Sequence, residues 1–135
     1  HNSTLIMGLT PNPDGLLPES DVKRLKEWGD EIRRRFSNPL ASASGEGNQL
    51  EIDLKEKQKI NHIIIQEDIE KGERIREYEI QALTDGEWKT ICSGQSVGNK
   101  RIQQFEEVAS SKIRLQIKES DGKPFIQKIS VFFVE

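Results

Sequence analysis

Residues 76–83 alternate without a break. Tyr78, Ile80 and Ala82 fall on one side, and Glu77, Glu79 and Gln81 on the other. A side-chain period of two defines a strand with one face buried and one face wet, and it does not suit a helix. Asp85-Gly86 follows at once, a dipeptide suited to the positive φ of a tight hairpin turn, and residues 87–92 supply the return strand. The sequence around this hairpin must therefore provide a sheet. Two charged, glycine-punctuated loops flank it, residues 67–74 and 93–101. Each places glycine, acid and base within a few residues of a strand end.

Further strands follow from the same pattern. Leu50, Ile52 and Leu54 alternate with Glu51 and Asp53. Residues 60–66 are denser, with three consecutive isoleucines, Ile63 to Ile65, which predicts cover on both faces. Residues 102–105 form a weaker strand. Residues 112–118 alternate with Ile113, Leu115 and Ile117 inward, and Asp121-Gly122 with Pro124 makes a turn before a closing strand over 125–134. About seven short strands with turn signals between them read as an antiparallel β-sandwich.

The first third of the chain differs. Residues 4–9 are a short apolar run that reads as a buried strand, ended by Pro11-Asn12-Pro13-Asp14-Gly15. Asn2-Ser3-Thr4 fits a glycosylation sequon, a pattern that many unmodified sites share. Residues 17–36 carry Val22, Leu25, Trp28, Ile32 and Phe36 at spacings of three and four, one apolar stripe of a helix. Glu19 and Asp21 lie at the positive end of its dipole, and Arg33, Arg34 and Arg35 at the negative end. A lone helix of this length is marginal in water, so the stripe calls for a platform. Asn38-Pro39 stops it, and the small, polar segment 41–48 (ASASGEGN) reads as a linker. The expected division is 1–38, a linker at 39–48, and a sandwich over 49–135.

Composition narrows the chemistry. The net charge is −3, which argues against nucleic acid as a partner, because phosphate binding needs a basic surface. No apolar run approaches the ~20 residues needed to span a bilayer. Two histidines and one cysteine, without ligand-like spacing, make neither a zinc site nor a disulfide, so no metal and no cofactor are expected. His62 reads as a structural histidine. Cys92, on the same nominal strand face as Trp88, reads as core filling, and Tyr78 and Trp88 are both assigned to the core. The carboxylates fall mostly on outward faces, and no catalytic pair stands out. Glu67, Asp68, Glu73 and Arg74 from one loop, with Lys100 and Arg101 from the other, make a mixed-sign cluster if the strand ends meet. It could be an ion-paired clasp, a polar sugar site or a domain contact. The chain opens mid-pattern at His1 with no visible secretory leader, as it would if the native start lay further upstream.

Several of these segments resemble a known family. Gln66-Glu67-Asp68-Ile69, Gly72-Glu73-Arg74-Ile75, Asp85-Gly86-Glu87-Trp88 and Gly98-Asn99-Lys100-Arg101-Ile102 resemble the C-terminal domain of bacterial and plant α-L-fucosidases. Asn99 stands where that family's pattern has an aromatic residue. Upstream, residues 5–11, 14–19 and 22–29 resemble the last strand and helix of the same family's catalytic barrel. The resemblance implies a jelly-roll sandwich of the galactose-binding-like (discoidin, coagulation factor 5/8 type C) kind, preceded by a strand-helix remnant of a β/α barrel. It implies a parent that is a retaining glycoside hydrolase with an aspartate nucleophile and a separate acid/base carboxylate, both upstream of this piece. No catalytic residue is transferred, and the piece alone is expected to be inactive. The implied partners are the upstream barrel and a fucosylated glycan, and the implied location is periplasmic or secreted. A free-standing lectin-like module and a structural brace for the barrel are the alternatives.

Overall fold

A computed structural model describes residues 6–135, and its chain divides into two compact units with the break between Asn38 and Pro39. In the first unit, α1 spans Glu19–Phe36 and begins after Pro18, whose extended ψ of 143° sets the entry to the first turn. Acids in that turn and arginines in the last complement the helix dipole. The arginines are also tied down locally: Arg33 pairs with Asp30, and Arg34 and Arg35 both pair with Glu31, at 2.8 and 2.6 Å. None of the helix's side chains is buried, and Val22, Trp28 and Ile32 stand exposed. The strand expected over residues 4–9 is not formed by its described part. Residues 6–10 carry no ladder hydrogen bonds, and an apolar run becomes a strand only against a paired neighbour. Residues 4 and 5, like the sequon at 2–4, lie outside the described residues.

The second unit is all antiparallel β. Its strands are β1 (Ala41–Glu46), β2 (Gln49–Glu67), β3 (Ile75–Thr84), β4 (Glu87–Gly94), β5 (Arg101–Ser120) and β6 (Phe125–Phe132), hydrogen-bonded in the order β1-β6-β2-β5-β3-β4. Two long strands make the sandwich. β2 and β5 pair along both of their halves, 49–53 with 112–116 and 58–65 with 101–110. Between those halves the register slips, and Lys55 takes a φ of 68°. Bulged strands bend at such points, and a bent strand can serve two layers. One layer is β1, β6, the second half of β2 and the first half of β5. The other is the first half of β2, the second half of β5, β3 and β4.

A single core lies between them. Ile60, Ile63, Ile65, Ile129 and Val131 from the first layer cluster with Ile52, Ile75, Tyr78, Ile80, Ile113 and Leu115 from the second. Each such side chain is worth about 1.5–3 kcal/mol when removed from water. Ile64 and His62 are also buried, so this stretch of β2 is covered on both faces as the isoleucine run predicts. His62 Nδ1 lies 2.8 Å from Asn61 Oδ1.

Three readings of the sequence need correction. The seven short strands are six, because bulges in β2 and β5 bend a ladder without ending it. The expected linker at 39–48 contains β1, whose Ala41, Ala43 and Gly45 face inward and whose Ser42, Ser44 and Glu46 face out. Its period of two was present, but side chains that small bury too little apolar surface to register as a strand. Trp88 is only half-buried and lies outside the core. An extra residue, Ile91, sits between Thr90, opposite Gln81, and Cys92, opposite Ile80. That bulge turns both Ile91 and Cys92 towards the core and leaves Trp88, opposite Leu83, on the outer face. There the Arg114 guanidinium stacks 4.3 Å from its ring and donates to Gln81 Oε1 at 2.7 Å.

Candidate functional site

The end of β2, the loop after it and the loop before β5 meet at Glu67. This residue closes β2 and is 1% exposed. Its Oε1 accepts from the main-chain N–H of Arg74 at 2.9 Å and of Ile75 at 3.0 Å, and its Oε2 accepts from Gly98 N–H at 2.7 Å. The Glu67 main-chain N–H donates in turn to the Gly98 carbonyl at 2.9 Å. A buried carboxylate is tolerable only when its oxygens are satisfied, and three N–H donors do this without a cation. The two loops are thus fastened to one side chain through their backbones.

The other candidates serve the same end of the sandwich separately. Asp68 caps the short 3-10 turn Ile69–Lys71 by accepting from Glu70 N–H, and its own N–H donates to the Phe125 carbonyl. The Arg74 side chain leaves Glu67 alone. It donates to the carbonyls of Lys71 and Lys123 and lies 5.1 Å from the centre of the Phe125 ring, which Lys71 also covers at 4.4 Å. Arg101 lies by the Tyr78 hydroxyl. Burial raises the pKa of that phenol, against the pull of the Gln103 hydrogen bond and the Arg101 charge. Glu73 and Lys100 are exposed. Ion pairs of this unit include Lys59–Glu107, Arg76–Asp121, Lys118–Glu79 and Lys123–Glu46. The expected mixed-sign clasp is therefore a carboxylate held by main-chain donors, with the cationic side chains spread around it.

Phe125 and Gln103 are the participants that sequence reasoning passed over. The sequence marks Phe125 only as the start of a strand; its position beside a Gly-Lys-Pro turn brings it against Lys71 and Arg74 of the 68–74 loop. Gln103 donates to Tyr78 Oη at 2.8 Å and to the Ser93 carbonyl at 3.2 Å, so it laces β5 to β4 across the open side of the sandwich. The close approach requires glycine at position 94, where a Cβ would sit 2.5 Å from Tyr78 Oη. Cys92 is partly buried, and burial pushes its thiol up to about 12, so it stays protonated and unreactive at neutral pH. Among the described residues no group of three or more His, Cys, Asp or Glu could hold a metal ion, and no helix is long and apolar enough to cross a membrane.

Two antiparallel layers sharing one isoleucine-rich core, with loops clasped at a strand end, define a discoidin-like β-sandwich. The sequence profile of the F5/8 type C domain matches residues 23–131, and the chain belongs to that family. A crystal structure from Bacteroides thetaiotaomicron VPI-5482, of a protein assigned as an α-L-fucosidase, superposes with a TM-score of 0.94 at 51% identity. The match covers 99% of this chain and 31% of that one. Alpha-L-fucosidase 1 of Arabidopsis thaliana is 26% identical over 97% of this chain and 33% of its own length. A family 29 glycoside hydrolase fucosidase of Ruminococcus gnavus, solved in complex with fucose, has the same fold at 22% identity, with a TM-score of 0.82 over 100% of this chain and 34% of that one. The chain thus spans about a third of the length of each of these relatives.

Proposed function

We propose that this chain is the C-terminal accessory part of a larger retaining α-L-fucosidase, and that the part itself does not catalyse. One observation carries the reading: almost the whole chain superposes on under a third of a 51%-identical protein assigned to that activity. On this view residues 1–38 belong to the end of the catalytic barrel and residues 39–135, β1 included, form the accessory sandwich. The aspartate nucleophile and the acid/base carboxylate that the family resemblance implies lie in the remaining two thirds. The buried carboxylate of this chain supports the division, because Glu67 has its oxygens filled by backbone donors and cannot act on a glycosidic bond. The same fastening makes the 67–74 and 95–101 loops a rigid end to the sandwich rather than a flexible sugar clamp. We place the whole enzyme in the periplasm or outside the cell, as the resemblance implies.

The test is hydrolysis of 4-nitrophenyl α-L-fucoside by the full-length protein and by the 135-residue chain. The full-length protein should release nitrophenol, with the α-anomer of fucose as the first product by proton NMR, and the chain alone should not. Turnover by the isolated chain, or a full-length protein that cleaves a different glycoside and spares this one, would refute the reading.

A further inference from the structure

β4 is an outer strand of the second layer. It pairs with β3 alone, and its other edge is open. A groove of about 480 Å³, lined in part by Thr84, Lys89, Thr90 and Val108, separates that edge from β5. The direction of its main-chain groups follows from the turn. Asp85 and Gly86 both have positive φ and join Thr84 directly to Glu87, a two-residue hairpin whose closing pair is hydrogen-bonded. Hydrogen-bonded and non-hydrogen-bonded pairs alternate along an antiparallel ladder. The N–H and C=O groups of Trp88, opposite Leu83, and of Thr90, opposite Gln81, therefore point out of the sheet edge. Past Thr90 the extra Ile91 breaks this alternation, so the regular part of the open edge is residues 87–90.

The side chains on this stretch are self-complementary. Glu87 and Lys89 share one face and are both exposed, and among the described residues neither has an ion-pair partner. Trp88 lies between them on the opposite face, half-buried, with Arg114 stacked on its ring. A lysine in mid-edge discourages strand addition, because most incoming strands leave its charge unmatched. One register matches it. When a second copy of β4 runs antiparallel about a two-fold axis at Trp88, each Lys89 falls opposite the second copy's Glu87, and the two tryptophans fall opposite each other. The outward groups of Trp88 then form a hydrogen-bonded pair across the axis. The flanking non-hydrogen-bonded positions, where side chains come closest, hold the two opposite-charge pairs. The neighbouring register, Trp88 opposite Thr90, sets the two Lys89 side chains against each other, and one centred on Thr90 runs into the bulge at Ile91. The other outer edge has no such pattern, since the one charged residue of β1, Glu46, is already paired with Lys123.

We propose that β4 is a homotypic docking edge, through which two copies of this chain join their second layers into one continuous sheet. The occupant is a second copy because the edge asks for a strand with acid and base at the same spacing in reverse order, and β4 itself supplies one. Residues 87–90 from each copy make a short contact, below the ~1,200–2,000 Å² of a stable interface, so the dimer forms reversibly with concentration. Nothing in this pairing depends on the hydrolase assignment.

The experiment is sedimentation velocity over a concentration series of the 135-residue chain and of its charge-swapped variants. The parent chain should dimerise, and the amides of residues 86–90 should shift with concentration in ¹⁵N NMR spectra. Glu87→Lys alone sets lysine against lysine, and Lys89→Glu alone sets glutamate against glutamate, at two places in each dimer. Each should weaken dimerisation about tenfold or more. An equimolar mixture of the two variants restores both opposite-charge pairs and should dimerise as the parent does. The double variant should do the same, and either rescue shows that the single swaps leave the fold intact. A parent chain that stays monomeric at every concentration would overturn the proposal. So would a mixture that associates no better than its components. Single variants that associate as strongly as the parent would move the contact to another surface, such as the exposed Val22, Trp28 and Ile32 of α1, and equally reject the edge.

Discussion

Glu67 is the residue on which the loop end depends most. Its two oxygens accept from Arg74, Ile75 and Gly98, so replacing one oxygen by an amide turns an acceptor into a donor facing a donor. Glu67→Gln should cost about 1–3 kcal/mol by urea unfolding, the range for a buried polar group left unsatisfied. Amide exchange at Ile75 and Gly98 should accelerate in the same variant. A midpoint equal to that of the parent protein would show that the loops are held by something else. The two large aromatics of the hairpin make a second contrast. Tyr78 is fully buried, and Tyr78→Ala should cost about 3–5 kcal/mol, as expected for a large core aromatic. Trp88 is on the outer face under Arg114, and Trp88→Ala should cost only about 1–2 kcal/mol. Equal losses in the two variants would place Trp88 back in the core.

At the level of the element, α1 is a helix with charge order at its C-terminal end and an apolar stripe whose Val22, Trp28 and Ile32 are exposed. Hydrogen bonds from Arg34 and then Arg35 hold the Glu31 carboxyl down at about 2, against an ordinary 4.5. Asp30 is lowered too, chiefly by Arg33. A folded-state pKa below the unfolded one means stabilisation that is present above the ordinary value and lost as pH falls towards the depressed one. Helical ellipticity should therefore decline between about pH 4.5 and 2. Glu31→Gln should flatten that decline, and an unchanged acid limb in the variant would remove Glu31 as its cause. β4 shows the converse dependence on one residue: the extra Ile91 determines which face every earlier residue of the strand takes.

Taken whole, the chain is two units, and the all-β one contains its own core, drawn from every strand but its outermost pair. A unit with a closed core should fold without the helix-bearing segment. Deleting residues 1–38 should leave the β signal in circular dichroism and a cooperative melt. An unfolded product would make the helix an integral part of one domain. The long strands β2 and β5 are the more fragile joint, since each contributes to both layers. Proline at Ile113, mid-ladder in β5, should abolish folding of the whole unit rather than of one layer, because it removes a ladder donor and strains both neighbours. Retention of native-like amide shifts in either layer of that variant would contradict a single cooperative sandwich.

The residue pattern alone determined the hairpin at Asp85-Gly86, the inward faces of β3 and of the second half of β5, the doubly covered isoleucine run and the helix at 17–36. These are local matters: a period of two or of 3.6 and the positive φ of a turn are written into neighbouring residues. Asp85 and Gly86 indeed take φ of 50° and 79°. The motifs at residues 66–75 and 98–102 likewise carried the family resemblance. Tertiary structure decided what depends on partners distant in sequence. The alternating but small side chains of 41–46 became β1 only because β6 offered them a ladder. Cys92 and Trp88 parted because one strand gained a residue that its neighbour lacked. Glu67 chose backbone N–H groups over arginines because two loops, seven and thirty-one residues away, brought their amides to a place where no water could reach.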